Sequence, residues 1–141
     1  MNAASEAGGP FRRMSSGTAW EPAVGYSRAV AAGDFVFVSG CTSVDGARVV
    51  HPGDAYAQAR QAIANAGAGL AGLGVTFADV VQTRMYVTDI SRWQDYGRAH
   101  GEVFGDVRPA ASMIEVAGLI DPALLIEIEV TAYRPGIGRP G

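Results

Sequence analysis

The sequence predicts an α+β fold, and three stretches of the chain predict it. Val80 to Thr88 is rich in β-branched residues, which fit a pleated, half-buried strand. Tyr56, Ala59, Ile63, Ala66, Leu70 and Leu73 recur at alternating steps of three and four, the signature of one apolar helix stripe. Leu124 to Tyr133 alternates instead, with Ile126, Ile128 and Val130 on one strand face and Glu127 and Glu129 on the other.

The remaining elements fall in order around these. Residues 1–18 are small, polar and glycine-rich and read as a disordered arm, within which Met14 is an alternative start. Tyr26 to Ala31 and Phe35 to Ser39 read as a hairpin, turned at Gly33-Asp34 because glycine accepts positive φ and aspartate bonds back to the chain. Cys41 to His51 reads as a loop or short strand around Asp45-Gly46, and Asp54 opens the first long helix. Gly67, Gly69 and Gly72 weaken that helix, each by ~1 kcal/mol relative to alanine, and allow a close neighbour. Gly74 stops it.

On Val80 to Thr88, the side chains of Gln82, Arg84, Tyr86 and Thr88 share a polar face that needs water or a partner. Ser91 and Gln94 have the spacing of a capping box for a second helix carrying Trp93, Tyr96, Gly97, His100, Val103 and Phe104 along one side. It ends at Gly105. Ala111 to Val116 and Leu124 to Tyr133 complete the order strand, strand, helix, strand, helix, strand, strand. The foldable domain is thus residues 19–134, followed by a flexible tail over 135–141.

A chain of 141 residues with 48% hydrophobic and 18% charged residues supports one domain with a real core. A net charge of -3 argues against a nucleic-acid surface, which needs a basic patch. One cysteine, Cys41, rules out an intrachain disulfide and fits a reducing cytoplasm. No apolar run approaches the ~20 residues of a membrane span, and the N-terminus lacks the apolar centre of a signal peptide. Two histidines and one cysteine are too scattered for metal-ligand spacing. There is no Walker-type or dinucleotide fingerprint, so no cofactor is expected.

Three motifs, GYSRAV (Gly25 to Val30), FVFVSG (Phe35 to Gly40) and RPAASMIEVAGLIDPALLIEIEVTAY (Arg108 to Tyr133), occur in an order that resembles the RidA family, also called YjgF/YER057c/UK114. The resemblance covers roughly residues 20–134. It implies a chorismate mutase-like sheet packed on two helices, and a homotrimer with a central barrel and pockets between subunits. It also implies a small-molecule substrate and an imine or enamine hydrolase (deaminase) activity.

The family's imine deaminases carry a carboxylate-binding arginine two residues after the proline of the RPA-type motif. Here that residue is Ala111. A guanidinium grips a carboxylate through a planar fork, and a methyl group cannot. Arg28 and Arg108 are the cations nearest in motif position; each reads either as a replacement or as a surface arginine. The resemblance makes Glu127 the residue that positions the hydrolytic water, and Tyr26 a pocket phenol that orients substrate or water. Their bland alternatives are a solvated strand glutamate and a half-buried strand tyrosine.

Ser39 and Gly40 fall where the family's pocket backbone approaches the ligand, or at an ordinary strand end. Met113 falls where many members have a pocket cysteine. Trp93 matches an aromatic near the pocket mouth, or staples its helix to the sheet. Cys41 is either a nucleophile or a small buried hydrophobe. His100 is either a proton carrier in a remodelled pocket or a satisfied core group. Glu129 belongs to structure or an interface, and His51 to a loop.

Together these imply a hydrolase acting on an imine, enamine or related reactive molecule, with altered specificity in which simple 2-imino acids are poor substrates. The alternative is a non-catalytic small-molecule binding or regulatory protein on the same trimeric scaffold. A ribonuclease reading, which follows the L-PSP endoribonuclease name of some relatives, is disfavoured by the acidic balance and the complete absence of lysine.

Overall fold

The computed structural model describes residues 4–8 and 10–139. Its largest feature is one seven-stranded sheet in the order β1-β2-β3-β4-β9-β7-β8. The strands are β1 (Ala4–Gly8), β2 (Phe11–Ser15), β3 (Ala29–Ala32), β4 (Phe35–Thr42), β7 (Val80–Val87), β8 (Ala110–Glu115) and β9 (Ile126–Tyr133). All neighbours are antiparallel except β7 and β8, which run parallel. A parallel pair needs a crossover, and helix α3 (Trp93–Phe104) supplies it. A short hairpin, β5 (Val44–Asp45) and β6 (Arg48–Val49), stands apart from the main sheet.

The long helix α2 (Ala55–Gly72) starts where expected. The Asp54 side chain caps it by accepting from the Ala57 N–H at 2.9 Å, and Gly74 leaves it at φ 86°. Ala59, Ile63, Ala66 and Leu70 are buried against the sheet's inner face, where β4 contributes Val36 and Val38 and β9 contributes Ile126, Ile128, Val130 and Ala132. The alternation on β9 therefore reads as expected, with Glu127 and Glu129 on the opposite face.

Several expectations need correction. Residues 4–8 and 11–15, expected to lie in a disordered arm, form strands; residues 1–3 and 9 lie outside the described residues. The reason is a concave neighbour: Met14, 3% exposed, fills the space that Gly72 leaves open, where an added Cβ would meet its Cγ at 2.5 Å. Gly67 likewise admits Phe77. The tail is also held over residues 135–139: Gly138 N–H donates to Gly33 O at 2.8 Å, and Arg12 Nη1 donates to Ile137 O at 2.7 Å. Residues 140–141 lie outside the described residues.

The capping box at Ser91 and Gln94 does not form. Asp89 accepts from Ser91 N–H at 3.1 Å and Ser91 Oγ at 2.5 Å, capping a 3₁₀ turn (Ile90–Arg92) that leads into α3. Trp93 does not staple α3 to the sheet; it is 56% exposed, whereas Tyr96 and Phe104 are fully buried in the core. Tyr26 to Arg28, expected within the first strand of the hairpin, precede β3 instead.

Candidate functional site

A short helix, α1 (Trp20–Val24), leads into the site. The Glu21 side chain, 3% exposed, fastens it: its carboxylate accepts from Ser16 N–H at 3.2 Å, from Ser16 Oγ, and from Thr18 Oγ1 at 3.1 Å. Burial works to raise the pKa of Glu21, but these hydrogen bonds outweigh it and leave the carboxyl below its ordinary value. Gly25 then turns at φ 92°, a conformation that favours glycine, and leads Tyr26 toward the start of β3.

Arg28 is the hub. Its backbone bridges two strands, with N–H donating to Met14 O at 2.9 Å and C=O accepting from Ser39 N–H at 3.0 Å. Its Nη1 donates to Gly40 O at 2.8 Å, Ser39 O at 3.2 Å and Cys41 Sγ at 3.1 Å, while Nη2 donates to Tyr26 Oη at 3.3 Å. Those carbonyls are available because β4 bulges here: Val38 pairs with Val130 and Cys41 with Ile128, so Ser39 and Gly40 together oppose one residue of β9. The Ser39 hydroxyl donates to Ser27 O at 2.7 Å and fixes the bulge to the approach segment.

The bulge also makes room for Glu127. A Cβ added at Gly40 would sit 2.1 Å from Glu127 Oε2, so only glycine leaves the carboxylate where it is. Glu127 is half-buried and makes no hydrogen bond among the described residues. Burial, and then the charge of Glu129, raise its pKa, partly offset by Arg28. Cys41 is buried, and burial raises its thiol pKa despite the nearby guanidinium. It is a packed thiol that donates to Ser39 O at 3.3 Å, not a prepared nucleophile.

These residues open onto a cavity of about 880 Å³ that takes in Tyr26, Arg28, Ser39, Gly40, Cys41 and Glu127. Six of the eleven candidate residues singled out in the sequence thus come together. The other five do not reach it within one chain. Ala111 is exposed on β8, the last strand of the sheet, beside buried Thr83 of β7. Met113 packs partly buried on the same strand. His100 Nε2 lies 2.8 Å from Thr83 Oγ1 and its ring 4.7 Å from that of Phe104, and burial lowers its pKa. Trp93 lies in solvent at the start of α3. Arg108 Nε donates to Gly105 O at 3.2 Å, within its own turn. Glu129 accepts from Tyr86 Oη at 2.6 Å, in keeping with the structural role expected of it.

The cavity also has walls that the sequence did not reveal. Met14, Trp20 and Val24 come from the presumed arm and α1, Val44 and Val49 from the small hairpin, Ala68 and Gly69 from α2, and Ile120 from the loop before β9. Gln58, fully buried, sets that loop by donating to Ala123 O and accepting from Leu125 N–H, each at 2.8 Å. Gly72 carried the one usable signal, since a helix glycine that admits a close neighbour needs a residue such as Met14 to fill it.

No group of three or more histidine, cysteine or acidic side chains suited to a metal occurs among the described residues, and no described helix is long and apolar enough to cross a membrane.

Residues 16–134 match the family model described as Endoribonuclease L-PSP. The chain belongs to this family, the RidA or YjgF/YER057c/UK114 proteins. A crystal structure of Rv2704 from Mycobacterium tuberculosis, a member of that family, is 48% identical with a TM-score of 0.80, covering 87% of this chain and 98% of the other. The fold is therefore the family's chorismate mutase-like one. The uncharacterized protein SCO2049 of Streptomyces coelicolor is 39% identical over 89% of this chain and 94% of its own. The 3-aminoacrylate deaminase RutC of Acinetobacter baylyi is 34% identical over 79% of this chain and 89% of its own.

Proposed function

We propose that this RidA-family chain is a deaminase that hydrolyses an imine, or an enamine through its imine tautomer, and that simple 2-imino acids are poor substrates. One observation carries the reading: a half-buried carboxylate with raised pKa, Glu127, faces the same cavity as an oriented phenol, Tyr26. The likeness to a 3-aminoacrylate deaminase supports the reaction class.

The orientation of the phenol follows from donor chemistry. Arginine has no acceptor, so Tyr26 Oη must accept from Arg28, which leaves its own proton to point elsewhere. In the proposed reaction, Glu127 takes a proton from water as the water oxygen bonds to the C=N carbon. The π electrons move to nitrogen, which takes the Tyr26 proton. The carbinolamine then collapses: Glu127 returns its proton to nitrogen, the C–N bond breaks to release ammonia, and the hydroxyl proton returns to Tyr26.

The proposal includes a homotrimer in the cytoplasm. The exposed outer edge of β8 supports the assembly, because a strand edge presents unpaired N–H and C=O groups that a second subunit can cover. It would bring Ala111 and Met113 toward a neighbour's cavity. The absence of a guanidinium at Ala111 equally favours the second reading, a small-molecule binding protein.

The bulky 2-imino acid that an amino-acid oxidase makes from phenylalanine, trapped with semicarbazide, tests both. An enzyme suppresses semicarbazone formation, and Glu127→Ala abolishes that suppression while ligand affinity is largely kept. A binding protein leaves trapping unchanged in wild type and variant alike.

A further inference from the structure

The cavity is far larger than a three-carbon imine needs, and two kinds of surface line it. Arg28, Ser39, Gly40 and Glu127 are polar. Trp20, Val24 and Ile120 are apolar and stand 54%, 70% and 77% exposed, and Val44 and Val49 add to the apolar lining. Ala68 adds only a methyl group to the lining, so bulk can enter. A volume of about 880 Å³ lies within the ~300–1,000 Å³ typical of sites for drug-sized ligands.

The apolar wall is also fastened in place. The buried Glu21 carboxylate holds α1, and with it Trp20 and Val24, through Ser16 and Thr18. Asn65 Nδ2 donates to Thr42 O and Val44 O, both at 2.9 Å, and holds the small hairpin. Exposed apolar side chains on anchored elements, sharing one cavity with polar groups, are the arrangement of a preformed ligand site.

We infer that the substrate's C=N carbon carries a bulky apolar group, aromatic or branched aliphatic, which lies against Trp20, Val24 and Ile120 while the reacting atoms face Glu127. This deepens the deaminase reading and rests on it for the reaction, but not for the shape of the ligand. The size of the apolar group, rather than a carboxylate clamp at Ala111, then sets specificity.

The test uses stable 2-oxo acids, which resemble the hydrolysis products. Pyruvate and phenylpyruvate share a carboxylate and ketone and differ in the apolar group, so whatever holds the carboxylate cancels in the comparison. Calorimetric titration of the full chain is expected to give phenylpyruvate a Kd at least ~10-fold below that of pyruvate. In the double variant Trp20→Ala, Ile120→Ser the ratio is expected to fall to within ~3-fold, with the mass by light scattering unchanged. Equal affinities in wild type, no measurable binding of either acid, or a ratio untouched by the double variant overturns the inference. So does a changed mass, which would make the wall a subunit interface. A ratio that holds while no imine is hydrolysed removes the deaminase reading and leaves the ligand class standing; hydrolysis without the ratio does the reverse.

Discussion

The β4 bulge and the β8 edge contribute differently to the proposed site. At the bulge, Tyr26, Arg28, Ser39, Gly40 and Glu127 are gathered around one cavity, and the backbone of Arg28 is bonded on both sides. At the edge, Ala111 is exposed, Met113 is packed on the core, and His100 is satisfied by Thr83. An interior strand fixes its side chains by pairing on two sides. An edge strand waits for a neighbour. The contrast teaches that the groups proposed for water activation and proton donation are gathered within one chain, whereas Ala111, at the position of the family's carboxylate arginine, stands exposed on an edge that only a proposed neighbour would cover.

The comparison breaks most decisively at the bulge. Glu127→Gln is expected to lower kcat on the order of a hundredfold or more while KM changes little, measured by semicarbazide competition. Gly40→Ala is expected to do nearly the same by displacing the carboxylate. Its Cβ meets the flexible end of Glu127 rather than backbone, and Gly40 is not in the left-handed region, so thermal melting should move little. Activity lost with stability kept separates a misplaced base from a broken fold.

Titration sharpens the same point. Because the folded pKa of Glu127 is raised, the folded protein binds more protons than the unfolded chain between the unfolded and folded values. Stability from this group therefore falls as pH rises through that window, and above it the ionised carboxylate is a net cost. The rate should climb with pH through an apparent pKa above the ordinary glutamate range, since the base must be ionised. Glu127→Gln is expected to remove that limb and to raise Tm at neutral pH. An unchanged Tm with a flat profile in the wild type would place Glu127 in water.

Next in size is the N-terminal strand. Met14→Ala is expected to cost about 2 kcal/mol, read as a lower denaturant midpoint at constant slope, because it empties the space beside Gly72. Arg28→Gln is expected to cost about 1 kcal/mol, since its hydrogen bonds to bulge carbonyls are charge-assisted but half-exposed. It should also lower kcat several-fold by releasing the Tyr26 phenol, and Tyr26→Phe in that background should add little further loss. Independent additive losses would mean that Arg28 does not act through Tyr26.

Much of this was legible in the sequence, and the exceptions share a cause. The period-2 pattern of β9 and the stripe of α2 announce their own faces, because each strand or helix buries one side locally. Phe11 to Ser15 carries no such announcement. Its strand exists because β3 offers an edge and Gly72 leaves a hollow for Met14, both remote in sequence. The cap at Asp89 was masked by an equally plausible Ser91, two residues later. Tyr26, Glu127 and Gly40 were found as motif positions, yet no pattern in the sequence revealed that a bulge would bring them together, or that Arg28 would spend its Nη1 donors on backbone carbonyls and a thiol.

The smallest expected structural effect falls on the other region. Ala111→Arg places a guanidinium on an exposed edge strand, so stability should stay within ~0.5 kcal/mol of wild type. Its catalytic effect depends on who the neighbour is. In a trimer whose β8 edge faces another subunit's cavity, the new fork can bind a substrate carboxylate, and hydrolysis of 2-iminopropionate should rise roughly tenfold, mainly through KM. In a monomer the arginine reaches only solvent and changes nothing. Light scattering on the same samples ties the outcome to assembly. A trimer without the gain would mean that β8 does not face the cavity, and that the single-chain half of the site is the whole of it.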